Sequence, residues 1–306
     1  MNFLDNIFIK LIIYINGLHN ILDKCCKNKP FLRIMRIHLP IPYLLIFTPI
    51  LWVICSSIKE THHSLKYLSI FLLLSLFARS IGCIINDILD KNIDKNCSRT
   101  KDRPLASEQI SIKNALILLF FLLILLISIA KIFLSDKALF ISLMFGPLIF
   151  IYPITKRFCN YPQIFLGFIF NLGVWPAWIT IRNDFNFIPF LLYIASVCWT
   201  IGYDIIYAHQ DYDDDLKLGY GSIVTATGES VEHIIIFFYR ICFLCLVTAG
   251  IHQNAGFIFY IFIFLSGYIL YWQVENFDFN NQKNSGALFR INAIFAILSS
   301  LGFIFS

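Results

Sequence analysis

The stretch N-A-L-I-L-L-F-F-L-L-I-L-L-I-S-I-A-K-I-F-L, from Asn114 to Leu134, contains a single charged residue, Lys131. A helix needs about 20 predominantly apolar residues to cross the hydrocarbon layer of a bilayer. Backbone groups inside lipid must satisfy their own hydrogen bonds, which an α-helix does within one segment. The stretch therefore predicts a transmembrane helix.

Apolar blocks of this kind recur along the whole chain. It has 306 residues, of which 58% are hydrophobic and 14% are charged, and its mean hydropathy is +0.73. A soluble domain usually has about 25% charged residues. Nine blocks are candidate spans, centred on residues 41–57, 66–85, 114–134, 138–153, 162–181, 187–207, 232–251, 255–272 and 287–305. We expect an all-α polytopic membrane protein with about nine transmembrane helices.

The distribution of lysine and arginine predicts how the chain is oriented. These residues are concentrated before the first span and in the loops after the even-numbered spans, which favours a cytoplasmic location for the N-terminus and for those loops. Residues 1–30 are expected to form a cytoplasmic or interfacial N-terminal segment, and residues 31–306 a transmembrane domain. The start of the chain lacks the charged region and cleavage site of a signal peptide.

Charge and cysteine content argue against several other classes of protein. The formal net charge of +5 is modest, and no basic-aromatic pattern indicates nucleic-acid binding. Most of the nine cysteines lie in or beside apolar blocks, including the one C-x-x-C pair, Cys242 and Cys245, inside the seventh span, and they are typical of small apolar side chains in a core. Membrane lipids are the expected surroundings, and no feature indicates an obligate protein partner.

Two clusters of oxygen-bearing side chains lie at the ends of hydrophobic blocks. In the first, Asn86, Asp90 and Asp94 follow an i, i+4, i+8 spacing, which places them on one face of a helix. Arg79 lies two helical turns earlier, inside the second span. An arginine at that depth must face a partner or a cavity, so an anionic substrate and a structural ion pair both remain open.

The second cluster follows the sixth span. Asp204, Tyr207, Asp211 and Asp215 again form one helical stripe. Because Mg²⁺ typically takes one or two carboxylates together with substrate phosphates, two such clusters predict a diphosphate held through Mg²⁺. The alternative is that these acids only mark polar helix ends.

Basic residues accompany both clusters on the same predicted face of the membrane. Arg99 and Arg103 follow the first cluster, and Lys156 follows the fourth span. Guanidinium groups bind phosphate oxygens in a bidentate manner, so these residues are candidates for diphosphate binding. They could equally be topology signals.

Several strings together resemble the UbiA superfamily of intramembrane prenyltransferases. They are R-x-x-G-C-x-x-N-D-x-x-D-x-x-x-D from Arg79, R-T-K-D-R-P-L-A-S from Arg99, Y-P-x-x-K-R from Tyr152, D-x-x-Y-A-x-x-D from Asp204, and L-R-I-M-R-I-H-L-P-I before the first span. The resemblance covers roughly residues 31 to 305. The second and fourth strings are most similar to members that prenylate 4-hydroxybenzoate in ubiquinone biosynthesis.

The resemblance implies a fold, a cofactor and a set of site residues. The implied fold has nine helices around a central cavity, and the implied reaction joins a polyprenyl diphosphate to 4-hydroxybenzoate with Mg²⁺ in a bacterial inner membrane. The implied metal positions are Asn86, Asp90, Asp94, Asp211 and Asp215. Substrate contacts would come from Arg79, Arg99, Arg103, Tyr152, Lys156 and Tyr207. Asp90, Asp94, Asp204 and Asp211 are the candidate catalytic residues.

Two departures and two alternatives accompany this resemblance. Glu108 stands where many members of the family have glycine, and F-N-L-G-V-W-P-A-W, from Phe170 to Trp178, replaces smaller residues often seen in the fifth span. Another acceptor, such as a naphthoate, homogentisate or haem, would use the same chemistry. A transporter would use the acids as an ion pathway, although transporters usually place ions near the bilayer midplane.

Overall fold

The computed structural model describes residues 17, 19–58, 63–155 and 158–306, and this part of the chain is helical without a β-strand. Nine apolar helical segments account for most of it. They are α1 (Pro40–Ser56), α2 (Ser64–Leu89), α3 (Ile112–Phe133), α4 (Asp136–Thr155), α5 (Pro162–Arg182), α6 (Phe187–Ala208), α7 (Val231–His252), α8 (Phe257–Glu275) and α9 (Gln282–Ile304).

These segments confirm the expectation of a multi-pass membrane protein with about nine spans. Within the described ranges, eight segments are long and apolar enough to cross a bilayer, and α1 is a shorter apolar helix of 17 residues. Hydropathy alone located each segment to within a few residues. The largest differences are at α9, which begins at Gln282 instead of residue 287, and at α2, which continues to Leu89 instead of ending at residue 85.

Two segments are interrupted near their middle. In α5, helix Pro162–Phe170 ends before Asn171, whose side chain donates hydrogen bonds to the Gly167 carbonyl at 2.7 Å and to Thr200 Oγ1 at 2.8 Å. A second helix, Val174–Arg182, then begins beside α1. A Cβ on Gly173 would lie 2.7 Å from Ile50, so glycine permits this close approach. The interruption in α4 falls between Phe145 and Leu148.

The core lies where α1, α6 and α9 meet. Trp199 of α6 packs against Trp52 and Phe295 with ring centroids 5.9 and 4.7 Å away. Both indole N–H groups are satisfied inside this core, since Trp52 donates to Ser299 at 3.0 Å and Trp199 to Asn292 at 2.7 Å. The polar contacts fix how the three helices face one another.

The periphery and the connections at one end complete the architecture. On α3, Ile117 and Phe120 are exposed, as expected of side chains that face lipid. The connection after α2 contains the short helix Lys91–Asp94, and the connection after α6 contains helices Tyr212–Leu218 and Ile223–Thr227. These two connections contact each other through Ser98 and Asp214, whose Oγ and Oδ2 are 2.9 Å apart.

Replacement of Trp199 by alanine should strongly destabilise the protein. The change empties a fully buried site and leaves Asn292 without its indole donor. A loss of about 3–5 kcal/mol is expected for such a truncation, seen as a lower midpoint of thermal unfolding in detergent. Phe120→Ala, at an exposed ring of α3, is the matched control. Equal midpoints for the two variants would contradict this account of the core.

Candidate active site

A cavity of about 570 Å³ opens at the end of the bundle where the two connections meet. Its inner wall is apolar and includes Leu45, Phe71, Leu74, Ile169 and Pro176. Its polar end includes most of the residues singled out in the sequence: Arg79, Asn86, Asp94, Arg99, Arg103, Asp204, Tyr207, Asp211 and Asp215. One cavity therefore joins charged groups to an apolar interior.

The first cluster is not one continuous helical stripe, and that expectation was wrong. Helix α2 ends at Leu89, Asp90 adopts φ −97° and ψ 6°, and residues Lys91–Asp94 form a separate turn of helix. As a result Asn86 and Asp94 line the cavity, whereas Asp90 is fully buried and is not among the described residues of the cavity wall.

A buried carboxylate organises the polar end. Asp87 is 0% exposed, and its Oδ1 lies 2.6 Å from Arg36 Nη2 and 3.4 Å from Arg103 Nη1. Arg103 also donates to both carboxylate oxygens of Asp94, at 2.9 and 2.8 Å. Asp87, which lies behind the cavity wall, thereby fixes the position of two arginines in that wall, Arg36 and Arg103.

The electrostatic effect of this network is visible at Arg36. Burial opposes the charge of the guanidinium, but the adjacent Asp87 carboxylate, together with Cys83 and Tyr207, offsets this effect, and the pKa of Arg36 lies above its usual value. Arg36 also lies at φ 62°, in a turn that joins helix Pro30–Ile34 to α1. The ion pair thus connects the segment before α1 to the end of α2.

The second cluster keeps the predicted stripe although the helix changes type. Helix α6 ends at Ala208, a 3₁₀ turn follows from His209 to Asp211, and the next helix begins at Tyr212. Asp204, Tyr207 and Asp211 nevertheless all face the cavity. The stripe is preserved because Asp204 and Tyr207 lie on α6 itself and Asp211 lies in the 3₁₀ turn that follows directly, before the next helix begins at Tyr212.

Arg99 links the two clusters. Its Nε and Nη2 donate to the two oxygens of Asp211 at 2.7 and 2.5 Å, and its Nη1 donates to the Tyr207 hydroxyl at 2.9 Å. The guanidinium also lies 5.2 Å from the centre of the Tyr207 ring. Tyr207 and Asp211 together raise the pKa of Arg99, so this side chain is a fixed positive charge at the polar end.

Arg79 lies deeper in the cavity, as its position within α2 predicts. Its guanidinium is 5.7 Å from the centre of the Phe170 ring, and it interacts electrostatically with Asp204. Its Nε is buried without a hydrogen-bond partner among the described residues. Both readings of Arg79, a substrate contact and a structural charge pair, are compatible with this position.

Two candidates fall where the structure gives no side-chain description. Lys156 lies outside the described residues, and of Tyr152 only the helical backbone is described. Their contacts with a substrate stay predictions.

The oxygen donors at the polar end fit Mg²⁺ bound together with a diphosphate. Among the residues that the structure describes, no three acidic, histidine or cysteine side chains gather closely enough to hold a metal by themselves. Asn86, Asp94, Asp211 and Asp215 nevertheless line one end of one cavity, and Mg²⁺ needs only one or two carboxylates when phosphates supply the other ligands.

Sequence reasoning missed Asp87, Arg36 and Arg290 as parts of the site. Asp87 lies about 100° from the first stripe, which hid its role, because its partners come from distant parts of the chain. Arg36 belongs to the L-R-I-M-R-I-H-L-P-I string, so that string contained a usable signal. No motif marks Arg290, which lines the cavity from α9.

The departure at Glu108 has a structural explanation. Its φ is 60°, in the left-handed region that favours glycine, which is the residue that many family members have there. The Glu108 side chain accepts a hydrogen bond from Lys95 at 2.7 Å, and this contact lowers the pKa of Glu108. Glu108 therefore combines a strained backbone conformation with an exposed ion pair to Lys95.

The fold and the site define an intramembrane protein whose cavity suits a ligand with an anionic head and an apolar tail. The model of the family described as "UbiA prenyltransferase family" matches residues 46–299. The chain belongs to the UbiA prenyltransferase family.

Similar proteins agree with this assignment. A 4-hydroxybenzoate octaprenyltransferase of Francisella tularensis subsp. tularensis (strain FSC 198) is 38% identical over 258 residues, which cover 79% of this chain and 87% of the relative. The Vibrio atlanticus (strain LGP32) protein of the same name is 34% identical, with 81% and 86% covered.

Solved structures share the fold. The apo structure of a UbiA homologue from Aeropyrum pernix K1 has a TM-score of 0.73 at 20% identity and covers 85% of this chain and 96% of that one. A UbiA homologue from Archaeoglobus fulgidus bound to GPP and Mg²⁺ has a TM-score of 0.64 at 18% identity and covers 90% and 99%.

Replacement of Asp87 by asparagine should destabilise the protein by about 3–5 kcal/mol, because it leaves the partly buried Arg36 and Arg103 without their shared counter-charge. Thermal unfolding in detergent measures the loss. The control is Asp23→Asn, which removes a partly exposed partner of Arg33 at 3.6 Å and should have little effect. A stable Asp87→Asn variant would show that the network does not hold this end of the bundle.

At position 108, glycine should be more stable than alanine. Both substitutions remove the contact with Lys95, but only alanine retains a Cβ at a positive φ. The midpoints of thermal unfolding of Glu108→Gly and Glu108→Ala test this order, which is the reverse of that in an ordinary helix. Greater stability of the alanine variant would overturn the assignment of strain.

Proposed function

We propose that this protein transfers a polyprenyl group from a polyprenyl diphosphate to the ring of 4-hydroxybenzoate, a step of ubiquinone biosynthesis. The observation that carries the proposal is the single cavity, whose acid- and arginine-lined end continues into an apolar interior. The names of the relatives from Francisella and Vibrio support the choice of donor and acceptor.

The diphosphate would bind at the polar end. We assign the metal ligands to Asn86, Asp94, Asp211 and Asp215, which line the cavity, and to Asp90, whose buried side chain would have to turn towards the cavity to bind the ion. The phosphate contacts are assigned to Arg99, Arg103, Tyr152, Lys156 and Tyr207. Mg²⁺, when bound, neutralises negative charge on the leaving diphosphate as a Lewis acid. Arg99 and Arg103 add preorganised positive charge at the same end.

Transfer of the prenyl group would be a substitution on the aromatic ring, in which the prenyl group replaces a ring proton. The allylic C–O bond breaks, and its electron pair leaves with the diphosphate. The ring carbon ortho to the acceptor hydroxyl forms the new C–C bond, and the proton on that carbon is lost. The products are the prenylated acid, diphosphate and a proton.

The cavity wall would support this reaction in two ways. Phe170, Tyr203 and Tyr207 present aromatic rings to the cavity and can stabilise a developing allylic cation. The apolar interior excludes water that would otherwise trap that cation. Asp204 lines the cavity near Arg79 and would accept the hydrogen bond of the acceptor hydroxyl or help to remove the ring proton.

The cellular arrangement is part of the same proposal. We place the protein in a bacterial inner membrane, with the N-terminus and both acid-containing connections on the cytoplasmic side. Residues 1–30 would form an interfacial or cytoplasmic segment ahead of the transmembrane domain, residues 31–306. The excess of lysine and arginine before the first span and in the connections on that side supports this orientation.

Membranes that contain the protein should form a lipid-soluble product from labelled 4-hydroxybenzoate, a polyprenyl diphosphate and Mg²⁺, and a chelator should abolish it. Asp211→Asn should lower the rate about 100-fold or more, the scale for losing one preorganised electrostatic contact. Asp213→Asn, an exposed neighbour, should leave the rate near that of the wild type.

The outcomes separate the alternatives. Transfer to another aromatic acceptor but not to 4-hydroxybenzoate would keep the chemistry and change the acceptor. No transfer to any acceptor by folded protein would exclude the proposed reaction. Full activity of Asp211→Asn would remove the second cluster from the mechanism.

A further inference from the structure

Arg290 is a cation in the cavity wall that resembles Arg79 and differs from Arg36, Arg99 and Arg103. It projects from the first part of α9, it is half-buried, and its Nε is buried without a hydrogen-bond partner in the described part of the chain. Arg36, Arg99 and Arg103 each form an ion pair with an aspartate, whereas Arg290 forms none with any described residue.

Aromatic rings place Arg290 next to the centre of the proposed reaction. Its neighbour Phe289 packs against Tyr207 and Tyr203, with ring centroids 4.8 and 5.7 Å away. Tyr207 is the residue that Arg99 contacts through both its hydroxyl and its ring. The start of α9 therefore adjoins the Arg99–Asp211 pair across one aromatic side chain.

A glycine leaves room beside this arginine. A Cβ at Gly286, one helical turn before Arg290, would lie 2.7 Å from Gln210 Oε1 and 3.9 Å from Arg290 Nη1. Gln210 is held from the other side, since its Nε2 donates to the Tyr207 carbonyl at 3.0 Å. Gly286, Gln210, Phe289 and Arg290 all line the cavity, and together they form what we call the α9 pocket.

The charges that line the α9 pocket favour a carboxylate over a diphosphate as its ligand. A diphosphate with Mg²⁺ requires carboxylates beside it, and those lie at Asp94, Asp211 and Asp215. The α9 pocket contributes one cation, one amide and an aromatic ring. A planar guanidinium pairs with a carboxylate through two parallel hydrogen bonds, and a ring next to it suits a flat aromatic ligand.

We propose that Arg290 binds the carboxylate of the aromatic acceptor, and that Gly286, Gln210 and Phe289 shape the pocket for it. This inference rests on the proposed transfer to 4-hydroxybenzoate and adds the residue that distinguishes an acidic acceptor from a neutral one. Arg79, which interacts with Asp204, then lies at the hydroxyl end of the acceptor.

The test compares Michaelis constants for the two substrates. In Arg290→Gln, the KM for 4-hydroxybenzoate should rise about 10- to 100-fold, the scale of one charge-assisted hydrogen-bonded contact, and the KM for the polyprenyl diphosphate should stay unchanged. Arg290→Lys should give an intermediate KM. Arg240→Gln, at an exposed arginine of α7, is the matched control.

An uncharged analogue of the acceptor tests whether Arg290 binds the carboxylate. The wild type should prefer 4-hydroxybenzoate to 4-hydroxybenzamide, and Arg290→Gln should lose that preference. Gly286→Ala keeps the charge of Arg290 but narrows the α9 pocket, so it should raise the KM for both acceptors. This variant tests the pocket if Arg290→Gln does not fold.

Results that would overturn the role of Arg290 differ from the result that would overturn the proposed function. A higher KM for the diphosphate alone would assign Arg290 to the donor and overturn the proposal, as would unchanged constants in Arg290→Gln or an unchanged KM in Gly286→Ala. If the wild-type protein prenylates neither 4-hydroxybenzoate nor 4-hydroxybenzamide, the proposed function itself is refuted.

Discussion

The buried charge of Asp87 is the constraint on which the polar end of the bundle depends. One carboxylate with no exposure to solvent has to be matched by cations, and the chain supplies Arg36 from before α1 and Arg103 from after α2. Because Arg103 also binds Asp94, the connection after α2 folds back over the end of its own helix. Removing Asp87 would take from Arg36 the carboxylate that it contacts, and removing Arg103 would take an ion pair from both Asp87 and Asp94.

The same pairing prepares the cavity for a highly charged ligand. Asp94 and Asp211 are each neutralised by an arginine, so acids that would repel one another can share one end of a cavity. A diphosphate with its cations brings both signs of charge and can bind to acids and arginines alike. The site is thus stable before its ligand arrives and retains suitable groups for it.

Much of this arrangement could be predicted from local sequence, and some could not. Apolar blocks located all nine spans, and the spacing of Asp204, Tyr207 and Asp211 predicted a shared face because the helical character persists through the 3₁₀ turn. The break at Asp90 could not be predicted, since it accompanies contacts of Asp87 and Asp94 with arginines elsewhere in the chain. Arg290 carries no local signal, and only the packing of α9 against α6 reveals its position.

The shortness of α1 has a consequence for the cavity wall. Its 17 residues give a length of about 25 Å, whereas the hydrocarbon layer of a typical bilayer is about 30 Å thick. A short hydrophobic helix is accommodated by local thinning of the bilayer, at a cost of a fraction of a kcal/mol per Å. α1 largely avoids this cost, because most of its residues are buried in protein instead of facing lipid. Its shortness instead brings Arg36, which lies just before it, to the cavity wall that Ile41, Leu45 and Ile50 also line.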